Sequence, residues 1–156
     1  MARLLAVDLG LRAGLAVFGD DGRLEDYRSQ SFGTRTRLRR AVMPVLEAVD
    51  GLDEVVMEGD RTLGEIFERA AHHRGARTSY VAAERWRRVL LLDREQHSGE
   101  DAKHNADALA RRVITWSGAP APTSLRHDAA EAILIGLWAV LERGWLAKLP
   151  AEVTRR

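Results

Sequence analysis

Short apolar or alternating segments joined by tight turns fill the beginning of the chain. We predict strands at 3–9, 15–18 and 23–31. Residues 19–22 read Gly-Asp-Asp-Gly, and both residue types favour the backbone conformations of hairpin turns. Connections this short leave no room for a helical crossover, so we expect the three strands to be antiparallel neighbours in one sheet. The third strand is the most polar and is therefore predicted near an edge of the sheet.

Helices and strands alternate in the rest of the chain. Apolar residues recur at helical spacing over 35–49, and a polar loop is predicted over 92–100. Further helices are predicted at 62–74, 83–91, 101–116 and 124–143, and strands at 54–58 and 78–82. This order predicts an α/β fold whose mixed five-stranded sheet has three antiparallel strands, then parallel additions, and helices on both faces. We expect one domain over 1–148 and a frayed tail over 149–156.

Composition excludes several classes of site. The 156 residues include no cysteine, which excludes disulfides, zinc–thiolate sites and thiol catalysis. No segment reaches the roughly 18 continuous apolar residues of a membrane span. The first apolar run is too short for a signal peptide and ends in an acid, so we expect a cytoplasmic protein.

Positive charge is carried almost entirely by arginine. The net charge is only +1, and Lys103 and Lys148 are the only lysines. Arginine matches phosphate well because its donors are planar and paired. A GC-rich genome would also favour arginine codons without any function, and composition leaves both interpretations open. The arginines cluster at two places, over 35–40 and over 85–88.

Acidic residues stand at the ends of predicted buried segments. Asp8 closes the first strand, Glu58 closes the fourth, and Asp128 and Glu131 lie three apart at the head of the last helix. Each has a simpler interpretation: a turn aspartate, a solvent-facing glutamate, and a capping box formed by the helix pair. Buried carboxylates are costly unless something compensates their charge, so the conjunction indicates a divalent cation.

Phosphodiester hydrolysis would use such a site. It needs an activated water and a stabilised leaving oxygen, and two divalent ions about 4 Å apart supply both. Magnesium prefers hard oxygen ligands and keeps several waters, so a few carboxylates are enough to hold it.

The same segments resemble the RuvC-type Holliday-junction resolvases of the ribonuclease-H-like superfamily. The similar features are an apolar run ending in Asp8-Leu9-Gly10 with Gly14 following, Glu58 at the end of a later strand, and the segment from Asp128 to Ile135. The resemblance spans nearly the whole chain and implies a homodimer that nicks four-way DNA junctions symmetrically. It implies two Mg²⁺ or Mn²⁺ ions per active site, and the catalytic metal ligands would be Asp8, Glu58, Asp128 and Glu131. Glu131 stands where aspartate is commoner.

The resemblance also directs attention to residues that would contact DNA. Family members often carry an aromatic residue shortly after the strand-four glutamate, and this chain has none there. The candidate DNA-binding residues are Arg12, Arg61, Arg85, Arg88, Lys103 and His104. In some relatives a histidine replaces the first acid of the helix pair, which makes His127 a further candidate; solvated side chains are the simpler interpretation of all of these.

Three alternatives remain open from the sequence. YqgF-type proteins share the Asp-x-Gly motif and act in ribosomal-RNA processing, but they usually lack an acid where Glu58 stands. Actin-like ATPases have a similar first phosphate loop but need a second lobe and a second glycine-rich loop. A non-catalytic nucleic-acid-binding protein could share the fold, although the presence of all four acids argues against it.

Overall fold

The computed structural model describes residues 1–155, which form five strands, six α-helices and a short 3₁₀-helix at Asp93–Gln96. The strands are β1 (Arg3–Asp8), β2 (Arg12–Gly19), β3 (Leu24–Ser31), β4 (Leu52–Glu58) and β5 (Arg77–Tyr80). The helices are α1 (Arg35–Glu47), α2 (Arg61–His73), α3 (Ala83–Leu90), α4 (Gly99–Ser117), α5 (His127–Arg143) and α6 (Ala151–Thr154).

The strands form one mixed sheet in the order β3-β2-β1-β4-β5. β1 pairs with β2 and β2 with β3 in antiparallel fashion, whereas β4 is parallel to both β1 and β5. The predicted fold class is confirmed, and β3 lies at an edge as its polarity suggested.

Each face of the sheet is covered by helices. Successive side chains of a strand point to opposite faces. Leu4 and Ala6 of β1 accordingly belong to a core shared with α3, α4, α5 and α6. Leu5 and Val7 belong to a second core shared with α1 and α2. The central strand β1 is therefore buried on both sides, which explains its continuous apolar run.

Helix α5 lies very close to the sheet. A Cβ added to Gly136 would come within 2.3 Å of the Phe18 ring, so only glycine allows this approach. All but five of the helix residues are buried, and they pack against β1 and β2. The position of α5 over the sheet is thus fixed tightly along its length.

No helix of the described chain is both long and apolar enough to cross a membrane.

Several predicted boundaries are wrong. β2 begins at Arg12 rather than at 15, β4 begins at Leu52 rather than at 54, and β5 ends at Tyr80 rather than at 82. The polar stretch 92–100 contains the 3₁₀-helix and the start of α4, where the Ser98 hydroxyl accepts a hydrogen bond from the Asp101 N–H at 3.0 Å. That capping interaction extends the helix beyond its apolar stripe. The last helix starts at His127 rather than at 124.

The predicted frayed tail is also wrong for the residues that the structure describes. Ala151–Thr154 forms the short helix α6, and Val153 is fully buried against the α4–α5 side of the core. The Arg112 Nε donates to the Val153 carbonyl at 2.8 Å. One apolar side chain and one hydrogen bond therefore hold this stretch on the domain. A single apolar residue gives no periodic pattern from which the helix could have been predicted.

Candidate active site

Two of the four predicted acids lie side by side at one end of the sheet. β1 and β4 are parallel and in register, so Asp8 is paired directly with Glu58. The Leu9 N–H donates to the Glu58 carbonyl at 2.9 Å and extends this pairing beyond the last strand residue. Parallel pairing explains why both strands present an acid at the same edge.

The first turn of α5 comes to the same edge. Gly14 of β2 is opposite Asp8, and a Cβ on Gly14 would lie only 1.8 Å from the Asp128 carbonyl oxygen. A side chain at this position would displace the start of the helix. The Ser29 hydroxyl of β3 donates to Asp128 Oδ2 at 3.0 Å and ties the helix start to the sheet edge.

The capping-box interpretation of the helix pair does not hold. The N-cap residue is Arg126, and no side chain caps this helix. Asp128 lies inside the first turn, where its Oδ1 accepts from the Ala129 N–H at 2.7 Å. Glu131 lies about one turn later with its side chain buried, and residues three apart share a helix face. Both acids can therefore face β1.

Negative charge accumulates where these elements meet. Burial, followed by the charges of Glu58 and Glu131, raises the pKa of Asp8 to about 8. Burial and then the charge of Glu131 raise the pKa of Glu58. Asp128 also acts on Asp8, so all four acids belong to one electrostatic cluster. Burial raises the pKa of Glu131 as well, against the opposing effect of Arg87.

Arg87 and His127 both contact Glu131. Arg87 Nη2 lies 3.2 Å from Glu131 Oε1, and His127 Nε2 lies 2.9 Å from the same oxygen. Burial, followed by the charges of Lys103 and Arg87, lowers the pKa of His127, which favours a neutral ring at this contact. His127 thus contacts the cluster through Glu131, although its side chain is also 38% exposed to solvent.

The donor chemistry of this cluster fits a hard divalent cation, but its side chains do not converge on one point. Among residues 1–155, no group of three or more His, Asp or Glu side chains is arranged so that it could hold a metal ion. Two of the four acids contact other groups of the protein. Glu131 Oε1 is held by Arg87 and His127, and both oxygens of Asp128 accept hydrogen bonds from Ser29 and Ala129.

The candidate DNA-binding residues fall into three groups. Lys103 is close enough to act on His127 and Glu131, which places it beside the acids. The Arg61 guanidinium lies 3.9 Å from the Tyr80 ring centroid, and that of Arg85 lies 5.5 Å from the Trp138 ring centroid. The remaining candidates are exposed and form no ion pair within the described chain: Arg12, Arg88 and His104.

A surface pocket of about 370 Å³ adjoins the cluster on the β5 side. Its lining includes Glu58, Arg61, Tyr80 and Glu84. Arg61 therefore stands at the rim of an open space next to one of the four acids, where an anionic ligand could reach it.

Arg87 and Ser29 contact the cluster but were not among the predicted site residues. Trp86 and Leu90 are the buried residues of α3, so they define the side of the helix that faces the core. On a helical projection Arg87 borders that side more closely than Arg85 or Arg88 does. This spacing could have singled out Arg87, whereas nothing local to Ser29 indicates that Asp128 lies opposite it.

Comparisons with known proteins agree with this architecture. The fold is similar to that of T. thermophilus RuvC, solved in complex with Holliday junction substrate, with a TM-score of 0.65 and 17% identity. The alignment covers 92% of this chain and 96% of that one. The catalytic core domain of BIV integrase aligns with a TM-score of 0.37 and 7% identity over 86% and 80% of the two chains, and we draw no conclusion from it. No protein family and no curated protein matches the sequence. The chain therefore has a RuvC-type, ribonuclease-H-like fold.

Proposed function

We propose that this protein is a metal-dependent endonuclease that cuts branched DNA, with the four-way junction as its substrate. The observation that carries the proposal is the meeting of Asp8, Glu58, Asp128 and Glu131 at one end of the sheet, where their shared charge is only partly compensated. The RuvC-type fold supports the choice of substrate, since the similar structure was solved with a Holliday junction.

In this proposal the four acids are the catalytic and metal-binding residues. Two Mg²⁺ or Mn²⁺ ions per site would help to activate a water and to stabilise the leaving oxygen. Asp8 is paired with Glu58 on the neighbouring strand, and the charges of Asp128 and Glu131 act on it, so in this proposal it would be a ligand central to the cation site. Its raised pKa indicates that bound cations would favour its charged form.

Binding of the junction would use the basic residues around the cluster. We propose phosphate contacts for Arg12, Arg61, Arg85, Arg88, Lys103 and His104. Such contacts would supply much of the affinity and make it fall steeply with salt. A homodimer would present one active site to each of two symmetry-related strands.

A cleavage assay tests the proposal. The protein is incubated with an end-labelled four-way junction and Mg²⁺ or Mn²⁺, and the nicks are mapped. We expect paired, symmetry-related nicks, and Asp8→Asn should slow them by about a thousandfold or more while leaving junction binding intact. Linear duplex and structured RNA are the comparison substrates. Equal cutting of the duplex would indicate a general nuclease, preferential cutting of RNA would indicate RNA processing, and loss of junction binding by folded Asp8→Asn would contradict the role of Asp8.

A further inference from the structure

Arg87 is held against the acid cluster from a helix that contributes none of the four acids. α3 packs on α5, and this packing brings Arg87 Nη2 to 3.2 Å from Glu131 Oε1. The Arg87 charge also acts on Glu58 and on His127. The side chain of Glu131 is only 8% exposed and that of Arg87 is 33% exposed, so the contact is shielded but still reachable from solvent.

The contact between Arg87 and Glu131 is weaker than the geometry of arginine allows. A guanidinium can bind a carboxylate through two parallel N–H···O bonds. Here Nη2 makes the contact with Glu131, whereas Nε is buried and has no hydrogen-bond partner within the described chain. The Arg87 guanidinium also lies 5.2 Å from the Trp86 ring centroid, on the flank of the core. Arg87 is therefore positioned by packing rather than by a saturated set of hydrogen bonds.

We propose that Arg87 is an internal counter-ion that occupies Glu131 Oε1 in the metal-free protein and competes with divalent cations for that oxygen. This inference rests on the proposed function, because it assumes that the cluster binds cations. The observation behind it is that one oxygen that a cation would need is already engaged by the protein's own positive charge.

The proposal gives Arg87 two opposite effects. In the absence of cations, Arg87 offsets part of the repulsion among the acids, so its removal should destabilise the protein. In the presence of cations, Arg87 must give up Glu131, so its removal should strengthen cation binding. Removal of a residue that only supported the fold would lower both the stability and the cation affinity. A loss of stability together with a gain in cation affinity therefore identifies the counter-ion role. Arg87 is a positioning residue in this account.

The test measures Mn²⁺ binding to the 156-residue chain without DNA, by the electron paramagnetic resonance signal of free Mn²⁺. We expect Arg87→Gln to bind Mn²⁺ about fivefold more tightly than wild type, since the partly exposed pair is of modest strength. The same variant should have a lower Tm than wild type in EDTA. Arg94→Gln is the matched control, because it removes the same charge from an exposed position just beyond α3 that is not among the proposed binding residues. It should leave Mn²⁺ affinity within twofold of wild type.

A double variant separates local competition from a general change in charge. In a Glu131→Gln background the carboxylate for which Arg87 and the cation compete is replaced by an uncharged amide. Adding Arg87→Gln should then change Mn²⁺ affinity by less than twofold. Unchanged or weaker Mn²⁺ binding by folded Arg87→Gln would overturn the counter-ion role alone. Failure of the wild-type protein to bind Mn²⁺ would overturn the proposed function and this inference together.

A measurement on the wild-type protein remains decisive if Arg87→Gln does not fold. The side-chain N–H groups of Arg87 are followed by nitrogen-detected NMR during a Mg²⁺ titration. We expect their hydrogen exchange to accelerate as Mg²⁺ binds, because the contact with Glu131 is lost. Saturating Mg²⁺ with no change in exchange would show that Arg87 keeps Glu131, and would overturn the proposal.

Discussion

The two acids of β4 that face α5 lie in opposite electrostatic surroundings. Glu54 and Glu58 lie four residues apart on one strand, so both point to the face covered by α5. Glu54 is 2% exposed, forms an ion pair with Arg143 near the end of α5, and accepts from the Ser79 hydroxyl at 3.3 Å. Glu58 instead meets Asp8 and Glu131, and their charges act on one another.

This difference distinguishes a candidate cation site from a structural ion pair. A buried carboxylate that only supports the fold receives a cation from within the chain, as Glu54 does from Arg143. At the other end, four acids share Arg87 and, at more distance, Lys103. The remaining negative charge is what a bound cation would neutralise, and three predictions test whether the two ends differ in this way.

The largest effect is expected at the paired end. Glu54→Gln removes the carboxylate that neutralises Arg143, leaving that guanidinium without its partner. We expect a loss of about 2–3 kcal/mol in the free energy of unfolding, below the full value for a buried pair because Arg143 is 30% exposed. Urea denaturation followed by circular dichroism measures it. Junction cleavage well below the Tm should stay unchanged, and a loss under 0.5 kcal/mol would mean that the pair contributes little.

At the unpaired end, the corresponding substitution should act in the opposite direction. The folded state raises the pKa of Asp8 from its ordinary value of 3.8 to about 8, so between these values Asp8 binds more protons in the folded protein than in the unfolded chain. Stability in EDTA should therefore fall as pH rises from about 4 to about 8. Asp8→Asn lacks this contribution and should be more stable than wild type by about 1–2 kcal/mol at neutral pH, after allowance for solvent screening.

Thermal unfolding at several pH values in EDTA checks this prediction. The advantage of Asp8→Asn should shrink toward pH 4, where Asp8 is protonated in the folded wild type and increasingly protonated in the unfolded chain. An Asp8→Asn variant that is less stable than wild type at every pH would show that Asp8 is not under electrostatic strain, and the contrast with Glu54 would disappear.

Most of the fold could be predicted from the sequence because the strongest sequence signals are local. Tight turns determined the antiparallel part, and the apolar run of β1 indicated a central strand. The helix α6 was missed because its packing depends on a single buried residue, Val153, and on Arg112 far away in the sequence. Hydrophobic periodicity is recognised only when apolar residues recur over several turns, so it cannot reveal a helix that is held by one apolar side chain.

The candidate site was predictable only in part for a similar reason. Asp8 and Glu58 end buried strands, which is visible in the sequence, and parallel pairing then brings them together. The partners that set the state of the α5 acids come from elsewhere: Ser29 from the edge strand and Arg87 from α3. Their roles depend on how α5 crosses the sheet. Close contacts at Gly14, which follows Asp8 in the first motif, and at Gly136, which belongs to no motif, fix this crossing.

The smallest predicted effect is the gain in stability on adding Mg²⁺. A ligand that binds only the folded state stabilises it in proportion to the logarithm of its concentration over Kd, which gives about 1 kcal/mol at a few times Kd. For a domain of this size the Tm should rise by about 2–4 °C relative to EDTA. Asp8→Asn should lose at least half of this rise because it weakens the cation site.

Glu54→Gln is the matched control for the Mg²⁺ effect. It replaces one carboxyl group by an amide, as Asp8→Asn does, and on the face of the sheet that Glu58 shares. The comparison is made at about pH 9, above the pKa of Asp8, so that each substitution removes one negative charge and reduces the attraction of Mg²⁺ to the net charge equally. If the ends of β4 differ as proposed, Glu54→Gln has a lower Tm in EDTA but gains as many degrees from Mg²⁺ as wild type. Equal loss of the Mg²⁺ effect in both variants would mean that the cation responds to overall charge, and the acid cluster would then lose its distinction from the structural pair.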